Sequence, residues 1–249
     1  MLIKCNPGEL RGAGRSQEGG LRSLKEQRPI TDAKLQQKKK KNKYNLIKTF
    51  YIMADTQQKS LKGTKTAGYL AQAYVVESTA VTRYTYYAQQ CQKESYFQYA
   101  NIFNETAANE LHHAKIFLKY LVDGGVCEAS VGVDSGNLSS TVENLKIAAA
   151  EEQSEGVDLY KKAAEVAKSE GFDEIAARFL AIASIEAHHE ARFNKMSERI
   201  ATGTVWKRDQ PIKWQCLVCG YIYEGTTPPE KCPACYHPYQ HFMPAEDNV

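Results

Sequence analysis

The sequence predicts a mostly α-helical protein: a four-helix bundle with one long crossover connection, followed by a small β-knuckle domain built on cysteines. Three observations predict it. No proline occurs between Pro29 and Pro211, and alanine, glutamate, leucine and lysine fill residues 66–201, as long helices require. Along that stretch Glu77, Glu110-Leu-His-His113, Glu152-Gln-Ser-Glu155 and Glu186-Ala-His-His189 recur at helical spacing. Two Cys-x-x-Cys turns, Cys216 to Cys219 and Cys232 to Cys235, then close the chain.

Residues 1–52 stand apart. They carry 13 Lys+Arg and four Asp+Glu, net +9, so the rest of the chain is net −6 and the basic character belongs to this extension alone. The run Lys38-Lys39-Lys40-Lys41 suits a nucleic acid or an anionic membrane. Lysine among Asn, Tyr, Ile and Phe is also what an AT-rich leader gives when translated, and Met53-Ala54-Asp55 has the form of a natural start. The extension is therefore expected to be a misplaced start or a disordered or targeting segment. No nucleic-acid role is expected, and with no run of 18 apolar residues no membrane span is expected.

The first helix is expected from about Thr66 to near Cys91, before Glu94, and Asp123-Gly124-Gly125 ends the second. Residues 123–140, rich in Gly, Ser and Val, form the crossover. Ser140-Thr141-Val142-Glu143 reads as a capping box opening the third helix, which Ser169-Glu170-Gly171 ends, and the fourth runs to about Ala201. The domain division predicted is 53–205 for the bundle, 206–211 for a linker and 212–249 for the cysteine domain.

Residues three apart on a helix are rotated by about 300° and share a face, so Glu110 with His113, and Glu186 with His189, can reach one ion. His112 and His188 are turned away by about 200°. Glu77 precedes Glu110 by 33 positions and Glu152 precedes Glu186 by 34, so two antiparallel hairpins bring their carboxylates to similar depth. The pattern resembles the ligand scheme of ferritin-like di-iron proteins, in which two helices give a Glu each and the other two give Glu-x-x-His. Glu155 adds a seventh candidate ligand, a carboxylate that lets one ion change partner when its charge changes. Hard oxygen ligands with imidazole suit iron or manganese. A lone Glu-x-x-His is usually a solvated helix face. Here Ile102, Phe103, Ala107, Ala108, Ile116 and Phe117 flank one motif, and Ile182, Ala183, Ile185 and Phe193 the other. Buried carboxylates in such surroundings require cations. Tyr84 and Tyr160 are spaced either to hydrogen-bond these carboxylates or to pack; Tyr86, Tyr87, Tyr96 and Tyr99 are assigned to core or dimer contacts.

Nothing in the sequence suggests secretion, so disulfides are not expected, and Cys5, Cys91 and Cys127 are structural or free thiols. The four paired cysteines make a tetrahedral thiolate site. Their spacing suits a zinc ribbon and an iron site equally. The segments Cys219-Gly220-Tyr221-Ile222-Tyr223-Glu224-Gly225 and Cys232-Pro233-Ala234-Cys235 resemble rubredoxin, with a shorter interval between the knuckles than in stand-alone rubredoxins.

A ferritin-like di-iron bundle with an extra glutamate and a short rubredoxin-like tail resembles rubrerythrin. The resemblance runs from about Ser60 to Met243 and includes Ser60-Leu61-Lys62-Gly63-Thr64, Glu105-Thr106-Ala107 and Ala191-Arg192-Phe193. It implies di-iron ligands at Glu77, Glu110, His113, Glu152, Glu155, Glu186 and His189, and an iron held by Cys216, Cys219, Cys232 and Cys235. It further implies a cytoplasmic homodimer that reduces hydrogen peroxide, one ion passing from His113 to Glu155 on oxidation. Electrons come through the tetrathiolate iron from an external donor such as an NAD(P)H-dependent rubredoxin reductase. On this reading, deleting residues 1–52 leaves iron content, peroxide reduction and thermal stability unchanged; a large loss of folded protein would show that the extension packs on the bundle. Two rival functions share parts of the pattern. A ferroxidase or iron-handling protein would need no relay and no Glu155, and a zinc-ribbon interaction protein would leave the seven inward ligands without a purpose.

Overall fold

Helix α1 (Lys65–Lys93) opens at Thr64, whose hydroxyl accepts from the Ala67 N–H. It turns through residues 94–96 into α2 (Phe97–Asp123), making the first hairpin. The second hairpin pairs a composite helix, α3 (Thr141–Glu151), a π-helical stretch (Glu152–Asp158) and α4 (Leu159–Ser169), with α5 (Asp173–Ala201). The computed structural model describes residues 59–134 and 136–245; the basic extension at residues 1–52 lies outside them. The crossover between the hairpins lays Val126, Ala129 and Val131 against the core, and its Asn137 carbonyl accepts from the Tyr87 hydroxyl at 2.9 Å.

The two hairpins are near-copies. Each turn has three residues with a left-handed one in the middle, Ser95 in the first and Gly171 in the second, at φ 65° and 75°. Each turn also supplies the cap of the other hairpin. Glu170 accepts from the N–H groups of Lys65 and Thr66 at the start of α1, at 3.1 and 2.9 Å. Glu94 accepts from the Thr141 N–H at the start of α3, at 3.1 Å. The capping box expected at Ser140 is therefore not formed. Ser140 occupies the N-cap without a side-chain bond, and Glu143 reaches Lys146 instead, because a carboxylate from the other hairpin has taken the helix N-terminus.

Heptad steps from the glutamates set the core. Phe103 and Phe117 lie seven residues either side of Glu110, and Phe179 and Phe193 seven either side of Glu186. Leu70 and Leu145 precede Glu77 and Glu152 by the same step. All six side chains are fully buried. Tyr84, Phe103, Phe193 and Leu145 join one apolar cluster, and Tyr160, Phe117, Phe179 and Leu70 another, so each cluster draws on both hairpins. The glutamates form a polar layer between them.

The tail is a three-stranded antiparallel sheet of order β2-β1-β3, with β1 Ile212–Cys216, β2 Ile222–Gly225 and β3 Phe242–Pro244. Its small core is Trp214, Phe242, Cys216 and Cys232. Trp206 joins it to the bundle: the indole stacks on Tyr96 with centroids 5.6 Å apart, and its N–H donates to the Phe242 carbonyl at 3.1 Å. Phe97, at the start of α2, stacks on His241 at 4.0 Å. Among the described residues no helix is long and apolar enough to cross a membrane.

Candidate metal centres

Glu77, Glu110, Glu152 and Glu186 come from the middle of the four long helical segments and are all buried, as are His113 and His189. His112 and His188 face outward and are exposed. The six buried groups divide into two overlapping sets. Glu77, Glu110, His113 and Glu186 can bring ligand atoms within 4.8 Å of one another, and so can Glu110, Glu152, Glu186 and His189. His113 Nδ1 lies 2.8 Å from Glu110 Oε2, 2.9 Å from Glu186 Oε1 and 3.9 Å from Glu77 Oε1. His189 Nδ1 repeats this around the twofold, 2.8 Å from Glu186 Oε2, 3.1 Å from Glu110 Oε1 and 3.8 Å from Glu152 Oε1. Glu110 and Glu186 thus give one oxygen to each set, the geometry of bridging carboxylates, and Glu77 and Glu152 belong to one set each.

The donor set fits two hard cations. Glu110 Oε1 and Glu186 Oε1 are buried and accept no well-directed hydrogen bond among the described residues, although a histidine nitrogen is close to each, so lone pairs remain for metal. The side chains by themselves balance charge with protons. Burial, then the neighbouring Glu186 and Glu110, push the Glu77 and Glu152 carboxyls well above the usual range. Burial disfavours charge on the histidines, but their bonds to Glu110 and Glu186 outweigh it and raise His113 to about 9 and His189 to about 10. Burial also acts against the Glu110 carboxylate, and the two histidine hydrogen bonds override it and hold that carboxyl below the usual range. A cation bound here would displace these protons.

Each terminal carboxylate is held by a tyrosine of the other hairpin. Tyr84 donates to Glu152 Oε1 at 2.7 Å, and Tyr160 donates to Glu77 Oε1. Tyr84 follows Glu77 by seven residues, but Tyr160 follows Glu152 by eight. The added residue is that of the π-helical stretch. From Glu77 to the end of α1 is 16 residues and from Glu152 to the end of α4 is 17, whereas the turns and the Phe97 to Glu110 and Asp173 to Glu186 intervals match. The single-residue difference between 33 and 34 is therefore a π insertion at the site.

That insertion governs Glu155 and Gly156. Glu155, the seventh expected ligand, lines a cavity of about 20 Å³ beside the cluster together with Glu77, Glu152, Tyr84 and Tyr160, but is not in either ligand set. It is one-third exposed and its Oε2 is 3.6 Å from Arg83 Nη2. In a π turn, residues three apart do not come back to one face as they do in an α-helix. Gly156 lets α5 approach: a Cβ there would lie 2.6 Å from both Cβ and Cγ of Glu186. Gly156→Ala is expected to push Glu186 off its position, costing about 1–3 kcal/mol in packing and most of the bound iron; full iron stoichiometry in the variant would show that α5 can retreat.

In the tail, Cys216 Sγ is 3.7 Å from Cys235 Sγ, and Cys219 Sγ is 3.6 Å from Cys232 Sγ. Bonds of about 2.3 Å to one central ion give a tetrahedron edge of about 3.8 Å, so all four sulfurs fit one metal; disulfides, at about 2.05 Å, are excluded. Burial pushes the Cys232 thiol up, but the N–H groups of Cys235 and Ala234 bring it down to about 7, so the knuckle amides favour thiolate. Cys91 is buried and Cys127 exposed, both outside this group.

Two family models match the chain: one described as Rubrerythrin, over residues 68–139 and 143–215, and one described as Rubrerythrin, rubredoxin-like domain, over residues 214–243. A rubrerythrin of Porphyromonas gingivalis is 45% identical over 190 residues, covering 76% of this chain and 94% of that protein. Among solved structures, nigerythrin in its fully reduced, all-ferrous state aligns with a TM-score of 0.51 and 26% identity over 75% of this chain and 92% of its own. A bacterioferritin of Desulfovibrio desulfuricans aligns with a TM-score of 0.51 over 56% of this chain and 82% of its own; at 19% identity that likeness shows the ferritin-like fold alone.

Proposed function

The chain belongs to the rubrerythrin family, with the di-iron carboxylate site and the four-cysteine iron site of that family, and we propose that it is a non-haem iron peroxidase reducing hydrogen peroxide to water. One observation carries the reading: a single chain holds a closed tetrathiolate site and, apart from it, a carboxylate cluster beside a cavity of about 20 Å³, above the roughly 10–15 Å³ that a water-sized molecule needs. A ferroxidase would use the cluster without the tail. A zinc-ribbon protein would use the tail without the cluster.

When bound, the two irons supply one electron each, so that H₂O₂ with two electrons and two protons gives two waters. Glu110 and Glu186, which belong to both ligand sets, would hold both irons, and Glu77 with His113 and Glu152 with His189 would each hold one. The hydroxyls of Tyr84 and Tyr160 hold the terminal carboxylates of Glu152 and Glu77 by their Oε1 atoms, the same atoms that lie 3.8 and 3.9 Å from His189 and His113, and so fix how each carboxylate is presented to the site. Glu155, close by and 3.6 Å from Arg83, would be the further carboxylate able to take the place of His113 as a ligand when the charge of the site rises. The domain at about residues 53–205 performs the reduction, and residues 212–249 relay single electrons from an external donor such as an NAD(P)H-dependent reductase. A cytoplasmic homodimer acting in defence against peroxide completes the reading.

Glu155→Ala tests it. The variant keeps six ligands and is expected to hold two irons per chain, while donor-driven peroxide turnover falls by at least about 10–100-fold, the cost typical of a supporting ligand and a lower bound for a direct one. Unchanged turnover would make Glu155 a bystander. Oxygen-driven iron oxidation without peroxide turnover in the wild-type protein would replace the peroxidase reading by the ferroxidase.

A further inference from the structure

Three departures from the internal twofold fall at one place. Arg83 precedes Tyr84 where Leu159 precedes Tyr160, Glu151 precedes Glu152 where Val76 precedes Glu77, and Glu155 follows Glu152 by three where Ala80 follows Glu77 by three. In the fold these three charged side chains meet. Arg83 Nη1 donates to Glu151 Oε1 at 2.8 Å, and Nη2 faces Glu155 Oε2 at 3.6 Å. The arginine is buried and the crossover lies directly on it, since a Cβ at Gly136 would come within 3.0 Å of Arg83 Cδ and 3.2 Å of Nη1. All three line the cavity beside the ligand cluster.

We propose that Arg83 is a positioning residue for Glu155: its guanidinium, anchored on Glu151, retains the Glu155 carboxylate at the rim of the di-iron cavity and sets how readily it joins the ligands. This rests on the reading of Glu155 as the ligand that exchanges with His113. The unequal distances supply the physical reason. A planar guanidinium can serve two carboxylates at once, and the short, buried contact to Glu151 fixes it in place. The longer contact reaches a group one-third exposed, where an ion pair is weak. Glu155 can therefore leave when ferric iron offers a stronger partner and return when the iron is reduced. A short, buried bond would hold it out in both states, and no bond would let it enter in both.

The test is the midpoint potential of the di-iron site in the iron-loaded full chain, followed by visible absorption during a redox titration. Arg83→Gln is expected to lower the potential, because Glu155 enters more readily and stabilises the ferric state. Removing a cation also lowers it directly, so the same substitution is made in a Glu155→Gln background. The shift is expected to be larger with Glu155 present by about two- to five-fold in the oxidation equilibrium, or about 20–40 mV for a one-electron step. Arg83→Lys keeps the charge but loses the fork, and is expected to lower the potential only when Glu155 is present; it also serves if Arg83→Gln does not fold. Glu151→Gln frees the guanidinium to draw closer to Glu155; losing an anion raises the potential directly, so the rise is expected to be larger with Glu155 present than in the Glu155→Gln background. Equal shifts in the two backgrounds would overturn the positioning role. A Glu155→Gln potential identical to that of the wild type would overturn the ligand-exchange reading beneath it.

Discussion

Glu110→Ala is expected to empty both iron positions at once. Glu110 gives Oε2 to the group around His113 and Oε1 to the group around His189, at 2.8 and 3.1 Å from the two imidazoles. Removing it takes one ligand from each position and leaves the carboxylate of Glu186 as the sole bridge. Loss of a supporting partner alone costs about 10–100-fold in metal affinity, and a shared direct ligand costs more, at two sites together. Glu77→Ala is the contrast, since Glu77 belongs to one set only and its loss should weaken one position. Iron per chain after reconstitution decides it, with helical circular dichroism recorded alongside. The Glu110→Ala bundle should stay folded, because the apolar clusters either side of the polar layer are untouched. Two irons retained in that variant would show that Glu110 does not bridge.

Cys216→Ser together with Cys219→Ser is expected to stop turnover driven by an electron donor while sparing a single turnover. The pair supplies half of the tetrathiolate, and a structural metal site of this kind contributes about 10–16 kcal/mol to folding. The sheet has little else: among the described residues, Trp214 and Phe242 are the only large side chains wholly buried in its core. The tail should therefore lose both its iron and its order, seen as loss of the visible thiolate absorption and of near-ultraviolet dichroism from Trp214. A chemically pre-reduced bundle should still consume one peroxide per chain, since none of the six clustered ligands lies in the tail. Steady turnover surviving both substitutions would mean that electrons reach the bundle directly. Iron retained by the tail would mean that serine oxygen had taken the place of sulfur.

Most of the site is legible in residue type and spacing. A Glu-x-x-His on a helix has no choice of face, so Glu110 with His113 and Glu186 with His189 follow from about 100° of turn per residue, and the outward His112 and His188 follow likewise. The aromatic steps of seven around Glu110 and Glu186 are also written in the chain, and they place Phe103, Phe117, Phe179 and Phe193 in the core. Ser140 shows where local spacing misleads. Its capping box has the right residues, yet the carboxylate at this helix N-terminus is Glu94 of the other hairpin, which accepts from the Thr141 N–H, and no local pattern announces a partner 47 positions away.

By itself the sequence determined the fold class and which carboxylates, histidines and cysteines come together in the two clusters, because helix geometry and the cost of burying charge favour that arrangement of those residue types. The one-residue excess in the second hairpin was visible too, but a longer turn would produce the same count. Only the tertiary structure decided that the excess is a π insertion at Glu152–Asp158, that Glu155 stands at the rim opposite Arg83, and that each hairpin caps and hydrogen-bonds the other. These features depend on segments far apart in the chain meeting at one depth. Each is worth little alone, so none leaves a mark on local propensity, and packing of the two hairpins around a shared charged layer is what selects them.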